Sequence, residues 1–393
     1  MDVESIRKDF PVVDEYIYFD SACLSLKPHS VIEAVKRYYC EFPVCEGKRS
    51  SHTLSTRLTR EIKKGRESVR DLLNASETDE IAFTKNTTES INTVARGLDL
   101  GKGDKVLTTD KEHNSNLVPW IKMKEKRGIE YEQVATNDDG GLNIDDLKDK
   151  IDEDVKIVSM VHTSNLDGTT TPASQIADIA HENDAYFMLD GAQSVPHRPV
   201  DVKDIGADFL AFSVHKMLGP TGLGVLYGRK DLLEEIEPLT YGGGGVKSTR
   251  YDEATLQDSP AKFEAGLQNF ASLAAVKPAV DYIQKIGLKN IEKHELKLNK
   301  LATEELRDLV NIIGPEDPEK RSGIFNFQMD QLGCHEITLL MDEENILLRG
   351  GQQCVHSWYS FHGLEGGNRA SFYLYNTEEE VKKFVDVIKS LLG

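Results

Sequence analysis

The 393-residue chain has only five cysteines, Cys23, Cys40, Cys45, Cys334 and Cys354, an odd number with no C-x-x-C spacing among them. That excludes a disulfide framework and a cysteine-built zinc site. The default role for such scattered thiols is that of small buried hydrophobes, with one kept in view as a nucleophile. No apolar run approaches the ~18 residues needed to span a bilayer. The opening residues Met1 to Asp9 are charged and lack a signal-peptide apolar region, so a cytoplasmic protein is expected. Positive charge is also in deficit: 47 Lys and Arg against 66 Asp and Glu, a net charge of −19. A chain so acidic is a poor ligand for nucleic-acid phosphates and for anionic membrane surfaces. Repeats and low-complexity tracts are missing too. The hydrophobic fraction of 39% and the charged fraction of 29% belong to a chain with a substantial core.

Short apolar runs rich in β-formers alternate with amphipathic stretches. Buried strands are expected at 80–84, 105–109, 156–162, 186–190, 209–214 and 224–228, and helices near 88–97, 116–127, 143–151 and 174–183. This alternation predicts an α/β fold with a large, mainly parallel sheet covered on both faces. The pattern changes near residue 285. A long charged helix (289–310) is followed by a strand (323–329), a helix (334–344), strands at 346–349 and 370–375, and a final helix (377–392). We therefore expect a large domain over 16–285 and a small α+β domain over 286–393, with residues 1–15 packed on the latter.

Two glycine-rich segments are misleading. Gly242–Gly245 followed by Val246-Lys247-Ser248 has valine where a Walker A loop needs glycine before its lysine, and Gly219-Pro220-Thr221-Gly222-Leu223-Gly224 is not a dinucleotide fingerprint. His356 and His362 near Cys354 lack the companions of a metal site, so no metal is expected.

Three segments carry chemistry at the ends of predicted strands, where open α/β sheets place their ligands. Met188-Leu189-Asp190-Gly191-Ala192-Gln193 delivers an aspartate into a glycine turn. Phe212-Ser213-Val214-His215-Lys216 delivers a lysine. Thr84-Lys85-Asn86-Thr87-Thr88-Glu89-Ser90 opens a helix with hydroxyls and free N–H groups. Singly, Asp190 also reads as a turn residue, Lys216 as a surface lysine, and Thr87 and Thr88 as capping residues. Together they match the needs of pyridoxal 5'-phosphate: an amine for its aldehyde, a carboxylate for its ring nitrogen and a helix start for its phosphate.

With Arg369-Ala370-Ser371-Phe372-Tyr373-Leu374-Tyr375-Asn376-Thr377, these motifs resemble the class V, fold type I pyridoxal-phosphate enzymes, in their cysteine desulfurase and selenocysteine lyase branch. Asp20-Ser21-Ala22, His52-Thr53-Leu54-Ser55, Glu112-His113, Ser164-Asn165 and Phe263-Glu264-Ala265-Gly266 extend the resemblance over nearly the whole chain. It implies Lys216 as the Schiff-base lysine, Asp190 at the pyridine nitrogen, Gln193 at the phenolic oxygen and His113 stacked on the ring. It implies Thr87, Thr88, Ser213 and His215 around the phosphate, and Asn165 near the substrate amine. Arg369 would clamp the substrate carboxylate. Cys354, after Arg349-Gly350-Gly351-Gln352-Gln353, would be the nucleophile that takes sulfur as a persulfide, with the nearby cation favouring its thiolate.

The activity so implied is desulfuration of L-cysteine to L-alanine, in a homodimer that hands persulfide sulfur to an acceptor protein for iron–sulfur cluster or related biosynthesis. The substrate L-selenocysteine, cysteine sulfinate, an aminotransferase or epimerase activity, and a noncatalytic scaffold are the alternatives. Three departures bear on this. Gln352 and Gln353 replace the histidines common before the nucleophile. Leu267-Gln268 replace a Thr-Pro pair that reaches a partner's phosphate. The segment 355–361 is unusually aromatic. Cys23, where alanine is common, is expected to serve packing.

Overall fold

The computed structural model describes residues 1–46, 51–137 and 139–392. Its largest element is a seven-stranded sheet in the order Ile81–Thr84, Gly224–Gly228, Phe209–Ser213, Tyr186–Asp190, Val155–Val161, Lys105–Thr109, Glu130–Val134. Gly224–Gly228 runs antiparallel to both neighbours, and the other strands share one direction. The central strands are buried at almost every position because helices cover both faces, so they read as continuous apolar runs. Sharing a direction, they bring their C-terminal ends to one edge.

The edge strand Glu130–Val134 was not among the expected elements. Its sequence, Glu-Tyr-Glu-Gln-Val, alternates exposed and buried positions, and only half of it carries an apolar signal. The long helix Thr53–Leu73 was missed for a similar reason: small and charged residues interrupt its buried face.

The C-terminal part forms an antiparallel sheet in the order Asn311–Ile313, Ile324–Gln328, Gly367–Ser371, Arg349–Gly351. Two expectations are corrected here. The strand expected at 370–375 lies at Gly367–Ser371. Tyr373, Leu374 and Tyr375 instead fill the core from a turn. Asn376 Oδ1 accepts the Tyr373 N–H at 2.9 Å, and the Tyr373 hydroxyl donates to the Pro196 carbonyl at 2.9 Å. The strand expected at 346–349 is divided. Ile346–Leu347 pairs in parallel with Ile17–Tyr18, and Arg349 starts a new strand opposite Arg369.

The N-terminal residues are tied to this part of the chain. Arg7 Nη1 donates to Glu380 at 2.6 Å and to the Tyr375 carbonyl at 2.8 Å. A separate small hairpin pairs Val246–Thr249 with Ala254–Leu256 and leaves Tyr251 fully exposed. No helix among the described residues is long and apolar enough to cross a membrane.

Candidate active site

The shared strand direction gathers the sequence motifs at one edge. Asp190 ends its strand, and Lys216 ends the 3-10 turn Val214–Lys216 that follows Phe209–Ser213. Asn86 caps the helix Thr87–Gly97 by accepting the Glu89 N–H at 2.9 Å, which places Thr87 and Thr88 in the first turn. Gly224 makes this turn possible: a Cβ there would lie 2.5 Å from the Asn86 backbone. His113 caps the helix Asn114–Arg127. From the C-terminal sheet, Arg369 and the Cys354 loop come down onto the same edge. Lys216, Asp190, Gln193, Thr87, Thr88, Ser213, His215, His113, Asn165, Arg369 and Cys354 all line one cavity of about 460 Å³. A cavity of about 740 Å³ around Arg96, Arg127 and Tyr241 contains none of them. Among the described residues no cluster has the composition of a metal site.

Burial dominates the electrostatics. It lowers the Lys216 amine, against the opposing pull of Asp190, so the amine is biased toward its neutral, nucleophilic form. Burial also raises Asp190, whose Oδ1 accepts the Ala192 N–H at 2.9 Å. His113 is held down to about 3 by burial, reinforced by Lys216, Arg369 and His356. Its Nδ1 accepts the Ser115 N–H at 3.0 Å, so the neutral ring carries its proton on Nε2. His215 is lowered to about 4, mainly by burial.

Two of the cavity-lining residues, Gln193 and Arg369, each keep one buried polar atom without a partner. Gln193 Nε2 donates to the Ala22 carbonyl at 2.6 Å, while its buried Oε1 has no partner. Arg369 is almost fully buried. Its Nη1 donates to the Asn165 carbonyl at 3.0 Å, its Nη2 lies 3.7 Å from Asp20 Oδ1, and its Nε is unpartnered. Ser213 Oγ accepts the Thr87 N–H at 2.8 Å and lies 2.6 Å from Thr87 Oγ1, and Thr88 Oγ1 lies 2.7 Å from Ser115 Oγ.

The Cys354 loop is sharply bent: Gln353 and Cys354 take left-handed backbone angles, φ 42° and 61°, in addition to Gly351. Arg349, expected to support the thiolate, is held by Asp20 through two bonds of 3.0 and 2.7 Å, which absorb much of its charge. Gln353 is a buried strut. Its Nε2 donates to the Gly367 carbonyl at 2.8 Å, its Oε1 accepts from the Tyr359 hydroxyl at 2.5 Å, and its carbonyl accepts from Asn165 Nδ2 at 2.8 Å. Asn165 thus joins the arginine to the nucleophile loop.

The other cysteines correct the expectation of buried packing groups: Cys40 and Cys45 are exposed, and Cys23 and Cys334 are half-buried, while Cys354 is exposed. Cys23 lines the cavity, as does His356. The His356 Nδ1 accepts from Asn114 Nδ2 at 2.6 Å, and the Asn114 N–H holds the Cys354 carbonyl at 2.8 Å. The sequence signal for His356 was its place two residues after the nucleophile; it was weighed only as a metal ligand.

The aminotransferase class-V family model matches residues 17–384. The chain is 40% identical to a protein of Haloferax volcanii called "Cysteine desulfurase", over 99% of this chain and 96% of the relative. It is 40% identical to a "Probable cysteine desulfurase" of Pyrococcus abyssi, over 99% and 97%. Among solved structures, the apo cysteine desulfurase of Thermococcus onnurineus NA1 superimposes with a TM-score of 0.96 at 38% identity, covering 99% of this chain and 98% of that one. An Escherichia coli cysteine desulfurase in S-sulfonic acid form gives 0.93 at 32% identity, covering 100% and 98%. The chain belongs to the aminotransferase class-V family, among its cysteine desulfurases.

Proposed function

We propose that the protein uses pyridoxal 5'-phosphate to remove sulfur from L-cysteine, releasing L-alanine and retaining the sulfur as a persulfide on Cys354. The observation that carries this reading is the placement of a cysteine loop in the same cavity as the buried Lys216 and Asp190.

The residues present fit the cofactor. Lys216 is the amine for its aldehyde, and buried Asp190 is a counter-ion for a protonated ring nitrogen. Gln193 lines the same cavity, where its amide would meet the phenolic edge. Thr87, Thr88, Ser213 and His215 surround the helix start that suits its phosphate. Bound there, pyridoxal phosphate supplies an electron sink for the bonds at the substrate's α-carbon.

The chain's own residues do the rest. Arg369, with Nε unpartnered in a buried site, receives the substrate carboxylate. Lys216 moves the α-proton, and His113 offers the proton on Nε2. The Cys354 thiolate attacks the substrate sulfur. A sulfur–sulfur bond forms, the carbon–sulfur bond breaks with its electron pair left on carbon, and a proton completes the methyl group of alanine. The persulfide then passes to an acceptor protein.

We also infer a homodimer. Tyr251 on the small hairpin is fully exposed, and Leu267, just after Glu264-Ala265-Gly266, is 78% exposed. Both suit burial against a second copy, and light scattering at about twice the chain mass tests it.

The central test incubates the holoenzyme with L-cysteine and measures alanine and protein-bound persulfide. Both are expected. Cys354→Ala should keep its cofactor and lose both products; near-normal alanine from that variant would remove Cys354 as the sulfur acceptor.

A further inference from the structure

Cys354 is not the only thiol in the active-site cavity. Cys23 lines it too, on the turn that follows Asp20. This turn is anchored at several points. The Cys23 N–H donates to the Asp20 carbonyl at 3.1 Å, the Ala22 N–H to Ser371 Oγ at 3.0 Å, and the Ala22 carbonyl accepts from Gln193 at 2.6 Å. Asp20 is itself gripped by Arg349. The sulfur of Cys23 is thus carried on a fixed frame, whereas Cys354 sits exposed on its left-handed bend.

Cys23 and Cys354 thus share the cavity that also holds Lys216 and Arg369. Cys40 and Cys45 are exposed and lie outside the cavity, as does Cys334.

Resting on the persulfide reading above, we propose that Cys23 is a second sulfur-carrying residue, which takes the sulfane sulfur from Cys354 within the same site. The Cys23 thiolate attacks the outer sulfur of the Cys354 persulfide. A new sulfur–sulfur bond forms as the old one breaks, Cys354 leaves as a thiolate, and the proton lost by Cys23 is available to it. The sulfane sulfur changes carrier with no net oxidation or reduction, so no further reactant is needed. Cys354 is then free to accept a second sulfur, and one subunit stores two.

The test uses the holoenzyme with excess L-cysteine and no reductant, followed by desalting, alkylation under conditions that preserve persulfides, and peptide mass spectrometry. Extra sulfur is expected on the Cys354 peptide first and on the Cys23 peptide later, with none on the Cys40, Cys45 or Cys334 peptides. The alanine burst should approach about two per subunit in the parent protein and about one in Cys23→Ser. Because the parent protein supplies the peptide readout, the result does not depend on the variant folding.

Sulfur on Cys354 alone, with one alanine per subunit, would overturn the inference and leave the desulfurase reading intact. Equal labelling of Cys40 or Cys45 would overturn it as well, by showing indiscriminate persulfidation. Labelling of Cys23 in Cys354→Ala would overturn the route through Cys354. Absence of both alanine and persulfide would overturn the desulfurase reading itself.

Discussion

Replacing Gln353 by alanine tests whether the nucleophile loop is held in a strained, working shape by a residue that never touches the reacting atoms. Its side chain makes two buried bonds, to the Gly367 carbonyl and from the Tyr359 hydroxyl. Tyr359 also accepts from Asn326 Nδ2 at 2.9 Å, so after the substitution its hydroxyl oxygen stays paired and its proton does not. Leaving a buried donor or acceptor unmet costs ~1–3 kcal/mol each. The left-handed angles at 353 and 354 store a further ~1–3 kcal/mol per residue that these bonds oppose. A net local loss of about 2–4 kcal/mol is expected, enough to depopulate the competent loop by roughly 30-fold or more.

The assay is alanine release under saturating L-cysteine, read beside the rate at which iodoacetamide alkylates Cys354. In Gln353→Ala turnover should fall by about one and a half to three orders of magnitude, on the order of that population change. Alkylation should change, and cofactor absorbance should stay near the parent value. Tyr359→Phe keeps the ring and the Gln353 bond to Gly367 but loses the hydroxyl's bonds to Gln353 and from Asn326, so it should show a smaller loss of turnover than Gln353→Ala. Unchanged turnover and unchanged alkylation in Gln353→Ala would refute the strut.

Arg369→Ala should raise the KM for L-cysteine and lower turnover with the cofactor retained; the loss should correspond to ~2–5 kcal/mol, and an unfolded or cofactor-free variant would make Arg369 structural. Lys216→Ala should lose borohydride-fixable cofactor and all alanine formation, and cofactor fixed to another lysine would contradict the assignment. Because burial holds His113 down to about 3, its ring is neutral across pH 5–8, with its one proton on Nε2. His113→Gln should therefore lower turnover throughout that range without moving the acid limb, and a displaced limb would show that His113 titrates there.

The parallel core was legible because helices on both faces make its strands apolar throughout, as in Val155–Val161 and Phe209–Ser213. Glu130–Val134 was not, since an edge strand keeps only half that signal. The aromatic run Tyr373–Tyr375 imitated a strand because β-propensity and core packing favour the same side chains. At the site, Asp190 and Lys216 were visible as polar residues delivered by apolar strands. The surroundings of Gln353, Cys23 and Arg349 were not legible for one shared reason: they come from contacts with parts of the chain distant in sequence, the Gly367 carbonyl for the first, the cavity for the second and Asp20 for the third. Local pattern carries no trace of such contacts.

The pairing of Asp20 with Arg349 joins residues 329 positions apart, and Ala22 with Ser371 joins residues 349 apart. During synthesis the large sheet and its lysine emerge long before these late partners. A ribosome must release most of the 393 residues before Asp20, Arg369 and Cys354 can meet. A nascent or truncated chain therefore has the lysine without the arginine clamp or the loop thiol. On the proposed roles, sulfur chemistry waits until the chain has emerged past Arg369.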